Sequence, residues 1–257
     1  MANSLFQLKG KKVLITGGSR GLGLGIAKGL AHHGADVALA AREKDQLDSA
    51  YHQIESYGGG AVWTFPINLD QPDGISDFFH DVVNVTGGID ILVNCAAVNR
   101  RAPAEEISLE TWNGVISINL TAIFLLSQVF CRHRKESGRP GKIINIGSLH
   151  CQAARPSNAP YTASKGGLLM LTKALAVEWA KYHINVNAIG PGYFLTEMTE
   201  QLKEDKKFNE WVLANTPLGR WGQPEELVGT AVFLASEASD FITGQIIYVD
   251  GGWLAGL

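Results

Sequence analysis

Seven short apolar runs alternate with six helical stretches along this chain, and that alternation limits the fold more than any other feature. The runs are 12–16, 36–41, 61–67, 90–95, 142–147, 184–189 and 245–249. They are rich in Val, Ile and Ala with few polar interruptions, as strands covered on both faces are. Helical patterns span 22–33, 44–57, 72–85, 109–135, 161–181 and 224–234. Strand–helix alternation joined by right-handed crossovers gives a parallel sheet wound on both faces. The expected fold is α/β: a doubly wound parallel sheet of seven strands in a single domain, residues 1–257. Hydrophobic content of 46% supplies the large core that such a domain needs.

The first strand–helix junction is Thr16-Gly17-Gly18-Ser19-Arg20-Gly21-Leu22-Gly23. Gly17 permits a tight turn, Gly21 leaves room for a pyrophosphate beside the backbone, and Gly23 lets the helix sit close to the sheet. The helix N-terminus then offers free N–H groups to phosphates. Glycines alone describe any glycine-rich loop; their position at the first βα junction makes this a Rossmann-like dinucleotide site. Other boundaries are also readable. Ser108 caps the helix from Leu109, Pro72 and Pro224 fit first turns, and Gly138 with Pro140 stops the fourth helix. The one sizeable irregular stretch, 190–223, carries its own helical pattern and reads as a substrate lid over the sheet's C-terminal edge.

Composition excludes several classes. The net charge is −3 and no stretch concentrates Lys and Arg, so no nucleic-acid partner is expected. The first ten residues lack a signal peptide's apolar segment, and no run reads as a membrane span. Cys95, Cys131 and Cys151 have no metal-ligand spacing and read as free thiols, so a cytoplasmic protein without a metal is expected. The fourth and fifth helices are apolar on more than one face, and packing on a sheet uses one stripe. A second subunit is the simplest cover for the rest.

Tyr161 and Lys165 lie four apart at the start of the fifth helix and share a face. Ser148 ends the preceding strand. Asn119 sits inside the fourth helix, an uncomfortable place for Asn unless its neighbours use it. With the glycine turn, these residues form a specific constellation.

On these motifs the chain resembles the short-chain dehydrogenase/reductase family over nearly its whole length. The likeness includes Thr16-Gly-x-x-x-Gly21-x-Gly23, Asn94-Cys-Ala-Ala97, Asn119, Ser148, Tyr161-x-x-x-Lys165, Pro191-Gly192 and Asp250-Gly-Gly252. The family usually has Gly at Ala97 and Ala at Cys95. The resemblance implies an enzyme that interconverts a secondary alcohol and a ketone by hydride transfer. Tyr161 is then the acid/base, Ser148 orients the substrate oxygen, Lys165 lowers the phenol's pKa and binds the nicotinamide ribose, and Asn119 holds a water in a proton relay. Implied cofactor contacts are Gly17, Ser19, Arg20, Gly21, Leu22, Gly23, Ala41, Arg42, Asn68, Leu69, Asp70, Asn94, Ala96, Tyr161, Lys165, Pro191, Gly192, Phe194 and Thr196. A homotetramer is implied as well, with a second contact through the last helix and strand and the tail Trp253, Leu254 and Leu257.

Ala41 stands where an acidic residue would accept the ribose 2′-OH of NAD, and Arg42 and Arg20 suit a 2′-phosphate, so NADP(H) is the expected cofactor. The segments Asn99-Arg100-Arg101-x-Pro103 and 191–198 are similar to gluconate 5-dehydrogenase-like members of the family. That points to D-gluconate/5-keto-D-gluconate, a sugar acid, with Arg100 and Arg101 on the carboxylate and Ser148, His150, Tyr161 and Tyr193 around the rest. Arg100 and Arg101 could instead pair with Glu105 and Glu106 in a solvated cluster. A 3-oxoacyl-[acyl-carrier-protein] reductase shares the same motif set, and fold alone also allows a non-catalytic NADP-binding sensor, against which the Ser148, Tyr161, Lys165 and Asn119 set counts.

Overall fold

The computed structural model describes residues 5–56 and 60–256. Tyr57, at the end of the second helical pattern, and Leu257, in the apolar tail, lie outside the described residues, as do 1–4 and 58–59. The strands are β1 (Lys12–Thr16), β2 (Asp36–Ala41), β3 (Val62–Pro66), β4 (Ile91–Asn94), β5 (Gly141–Ile146), β6 (Ile184–Pro191) and β7 (Ile246–Val249). They form one parallel sheet in the order β3-β2-β1-β4-β5-β6-β7. The chain leaves β1 in one direction to build β2 and β3 and in the other to build β4 to β7. The crevice outside the C-terminal ends of β1 and β4 is therefore the switch point where this architecture binds ligands.

The helices are α1 (Gly21–His32), α2 (Lys44–Glu55), α3 (Ile75–Thr86), α4 (Leu109–Ile116), α5 (Ala122–Ser137), α6 (Ala159–Trp179), α7 (Glu200–Glu204), α8 (Lys206–Asn215) and α9 (Val228–Ala235). Side chains alternate across the strands and feed two cores. Val13 and Ile15 point to α1, α2 and α9. Leu14 and Leu92 point to α3, α5 and α6. Ser108 caps α4 by accepting the Thr111 N–H at 3.1 Å, and Gly138 ends α5 with φ 63°.

Residues 109–135 do not form one regular helix. A π-helical turn, Ser117–Thr121, joins α4 to α5 and contains Asn119. The run Leu109–Ser137 is also long and apolar enough to cross a membrane, an 18-residue window of it having a mean hydropathy of 1.9, which corrects the reading that no run is. More than half of that window is buried, and its inner face carries Val115, Ile123, Leu126 and Phe130 in or beside the core. Its apolarity serves packing on the sheet. Leu109, Trp112 and Phe124 remain exposed on it, and Met170 and Val177 on α6.

Residues 192–223 leave β6, run through α7 and α8 and return. Phe194 bridges Gly222 at the base of this excursion, and Trp221 donates to Asn209 Oδ1 at 2.7 Å. Arg220 holds Glu226 through both guanidinium nitrogens, at 2.7 and 2.6 Å, where the excursion rejoins the domain.

Candidate active site

The glycine turn does what its sequence requires. Gly17 sits at φ 67° against Ala96, and a Cβ on Gly23 would stand 2.1 Å from the Gly17 carbonyl oxygen. Only glycine lets α1 begin this close to the turn. The turn opens on a cleft of about 450 Å³. Its wall holds Gly17, Ser19, Arg20, Gly21, Leu22, Gly23, Ala41, Arg42, Asn68, Leu69 and Ala96. Tyr161, Lys165, Pro191, Gly192, Phe194 and Thr196 complete it, Thr196 beside Gly21. The shape and donors fit a dinucleotide: backbone N–H groups at a helix N-terminus, then a polar end beside the strand-terminal Ser148.

Two expected cofactor residues lie outside this wall. Asp70 is exposed; its backbone N–H bonds Asn68 Oδ1 at 3.2 Å, and Asn68 and Leu69 face the cleft instead. Asn94 is buried and donates to Asn145 Oδ1 at 2.9 Å and Ser127 Oγ at 3.3 Å, tying β4 to β5 and α5. It supports the cleft from behind.

Ser148, Tyr161 and Lys165 converge where the sheet, α6 and the cleft meet. Ser148 Oγ accepts the His150 N–H at 3.2 Å and hydrogen-bonds the Tyr161 phenol. Burial pushes that phenol up to about 12, against the pull of Ser148. Lys165 is 2% exposed; its Nζ donates to the Ile146 carbonyl at 2.7 Å and lies 5.6 Å from the Tyr161 ring centroid. Burial pushes the Lys165 ammonium down. Without a nicotinamide ring beside them, burial dominates both groups and disfavours the charged form of each.

Asn119 does not line the cleft; its neighbour Ile118 does. Its Oδ1 accepts the Val98 N–H at 2.8 Å, and its Nδ2 donates to the Val98 carbonyl at 2.9 Å and Ser164 Oγ at 3.1 Å. The π turn projects this side chain into the gap between the β4 loop and α6. The Asn119 side chain thus braces the Val98 loop against α6.

A second cavity, about 360 Å³, joins the first at Ser148 and Tyr161. Arg101, His150 and Tyr193 line it. Arg100 does not; its guanidinium lies across Gly114 of α4, where a Cβ would meet Nη1 at 2.8 Å. Neither arginine forms an ion pair with Glu105 or Glu106 among the described residues. Arg155, unmarked by any sequence signal, takes the place expected of Arg100 on the cavity wall. His150 bonds Thr162 Oγ1 at 2.9 Å and meets the Tyr161 ring edge-on at 5.4 Å. Burial first, then Arg155 and Arg101, pushes its imidazole down to about 4, so it is neutral at neutral pH.

Cys95, Cys131 and Cys151 are unpaired, and burial raises all three thiols, Cys95 to about 11. No cluster of metal-ligating side chains occurs among the described residues.

A phosphate-binding turn at the switch point, with a serine, a tyrosine and a buried lysine at the far end of the same cleft, defines a dinucleotide-binding oxidoreductase. The comparisons agree. The sequence model of a family described as enoyl-(acyl carrier protein) reductase matches residues 17–254. The chain belongs to the short-chain dehydrogenase/reductase family. It is 47% identical over 248 residues to gluconate 5-dehydrogenase of Gluconobacter oxydans, covering 96% of each chain. It is 43% identical to 5-keto-D-gluconate 5-reductase of Escherichia coli, covering 98% of each. A solved gluconate 5-dehydrogenase from Burkholderia cenocepacia, in complex with NADP and tartrate, superposes with a TM-score of 0.95 at 39% identity, covering all of both chains.

Proposed function

We propose that this enzyme interconverts D-gluconate and 5-keto-D-gluconate with NADP(H). The carrying observation is the second cavity. It opens beside Ser148 and Tyr161, and its wall holds two guanidiniums, an imidazole and several amides but no carboxylate side chain. Such a wall suits a polyhydroxylated anion. It offers no apolar tunnel for an acyl thioester, and the Ser148–Tyr161–Lys165 set has no use in a sensor. The similar Burkholderia structure holds tartrate, itself a hydroxy acid, together with NADP.

The nicotinamide accepts or supplies the hydride, and the protein's own groups do the rest. Ser148 holds the substrate oxygen at the phenol. Tyr161 gives that oxygen a proton during reduction and takes it back during oxidation. Lys165 binds the ribose and, once a positive nicotinamide is also present, favours tyrosinate. Asn119 keeps the Val98 loop registered against α6. At the adenosine end, Arg42 and Arg20 meet the 2′-phosphate, and Ala41 leaves room for it.

Residues 190–223 act as the lid. The chain assembles as a homotetramer, which the apolar residues exposed on α4, α5 and α6 and the unpaired edge of β7 support. Light scattering at micromolar concentration tests this; a monomer contradicts it. The unpaired cysteines suit a cytoplasmic setting. The activity is tested by a panel of aldonates, keto-aldonates, neutral polyols and oxoacyl thioesters with each nicotinamide cofactor. Turnover of 5-keto-D-gluconate with NADPH, well above that of any thioester, is expected. Thioester reduction alone contradicts the reading.

A further inference from the structure

Arg155 lies on the loop between β5 and α6, seven residues after Ser148 and five after His150. Its guanidinium carbon stands 4.0 Å from the Trp211 ring centroid and 4.7 Å from that of Phe208, both on α8. Its Nη1 donates to the Tyr193 hydroxyl at 3.0 Å. It makes no ion pair among the described residues. A half-buried guanidinium is normally matched by a carboxylate; this one is held by aromatic faces and one phenol. Stacking fixes the plane of the fork while leaving its other N–H groups unspent. The cavity wall that it joins also carries Ser148 and Tyr161.

The backbone beside it is specialised. Ser157 adopts φ 64°, the left-handed region that a serine rarely enters. Two bonds hold the loop there: Asn158 Nδ2 donates to the Pro156 carbonyl at 3.3 Å, and Asn99 Nδ2 donates to Asn158 Oδ1 at 3.0 Å. Strain of this kind persists only where the surroundings impose it. Here it fixes the backbone between Arg155 and Asn158, both on the wall of the substrate cavity.

We infer that Arg155, stacked on the α8 aromatics, is the residue that binds the substrate's carboxylate and so sets the enzyme's preference for sugar acids over neutral polyols. This rests on the sugar-acid reading above. The rigid fork donates two parallel N–H···O bonds to a planar carboxylate, and Arg101 adds charge at the same cavity. The carboxylate end is thereby fixed in the second cavity, and the substrate's reacting oxygen is left to Ser148 and Tyr161. Because the stacking partners belong to α8 and Tyr193, the same contact draws the 192–223 segment against the bound anion.

The test is calorimetric titration of D-gluconate and of D-glucitol into the enzyme–NADPH complex, where no turnover occurs. Wild type, Arg155→Ala and Arg155→Lys are compared, with NADPH affinity and thermal melting as checks of the fold. Loss of charge-assisted bonds predicts gluconate affinity about 10- to 100-fold weaker in Arg155→Ala, with glucitol affinity changed less than about threefold. Arg155→Lys recovers part of the loss, since a point charge replaces the fork incompletely. Equal weakening of both ligands, unchanged gluconate binding, or no gluconate binding by wild type overturns the inference. Turnover of 5-keto-D-gluconate by wild type is scored separately. If it persists while Arg155→Ala leaves gluconate binding intact, the inference fails and the activity stands; if it is absent, the activity itself fails.

Discussion

Asn119 holds both backbone groups of Val98, accepting its N–H at 2.8 Å and donating to its carbonyl at 2.9 Å. A side-chain amide thus pairs with Val98 as a neighbouring strand would, at the point where β4 gives way to the cleft wall. Replacing Asn119 by Ala leaves both groups without partners, at a cost of about 1–3 kcal/mol. For a domain of this size the melting temperature falls by roughly 2–10 °C. Thermal melts and cofactor titration check this. Both stability and NADPH affinity are expected to fall, whereas a purely catalytic role would leave both unchanged.

The Tyr161 phenol, pushed up to about 12 by burial, is protonated throughout the neutral range before cofactor binds. Reduction uses the protonated form, so its rate stays level from pH 6 to 8. Oxidation uses the tyrosinate, whose fraction rises with pH as far as the pKa in the enzyme–NADP complex that gluconate meets. The kcat/KM for gluconate oxidation is therefore expected to climb by up to about tenfold per pH unit in this range. An oxidation rate that falls between pH 6 and 8 contradicts the role of the phenol as base.

His150 carries a different pH signature. Its pKa is about 4 in the fold against 6.5 for the free side chain. Between those values the unfolded chain binds a proton that the folded chain refuses, so stability rises with pH across this window and is lost as pH falls through it. Denaturant midpoints at pH 4.5 and 7 are expected to lie closer together in His150→Gln than in wild type. An unchanged difference means that His150 is not the group responsible.

Arg20 pairs with Glu197 at 2.6 Å across the cofactor cleft, and both side chains are more than half exposed. The carboxylate competes with a 2′-phosphate for the same guanidinium. Glu197→Gln is expected to tighten NADPH binding up to about fivefold, the scale of an exposed ion pair. Ala41→Asp combined with Arg42→Ala shifts preference toward NADH. Cofactor titrations of both variants check this, and a wild-type enzyme that prefers NADH contradicts the assignment of these arginines.

Much of this was legible before any coordinates, for local reasons. Each strand run falls within two residues of an observed strand, because a strand buried on both faces cannot hide its apolar residues. Gly17, Gly23 and Gly138 mark positions that few residues tolerate, and Ser108 supplies the cap oxygen that α4 needs. The π turn at Ser117–Thr121 left only the misplaced Asn119 as a mark, because the partner that uses its side chain, Val98, lies 21 positions away. Arg100 and Arg101 show a second limit. Neighbours on extended chain point to opposite sides, so only one of two adjacent arginines could enter the cavity. Arg155 sits in a non-periodic turn, and its partner Tyr193 is 38 residues further on. Nothing local announces that contact.

The account rests on Tyr161 as the group that exchanges a proton with the substrate oxygen. The direct measurement is single-turnover reduction of 5-keto-D-gluconate by Tyr161→Phe, with NADPH affinity determined in parallel. Because the phenol acts in the transition state, the account predicts a rate loss of at least about 10²- to 10⁴-fold with NADPH affinity kept within about threefold. Near-wild-type turnover by Tyr161→Phe contradicts it.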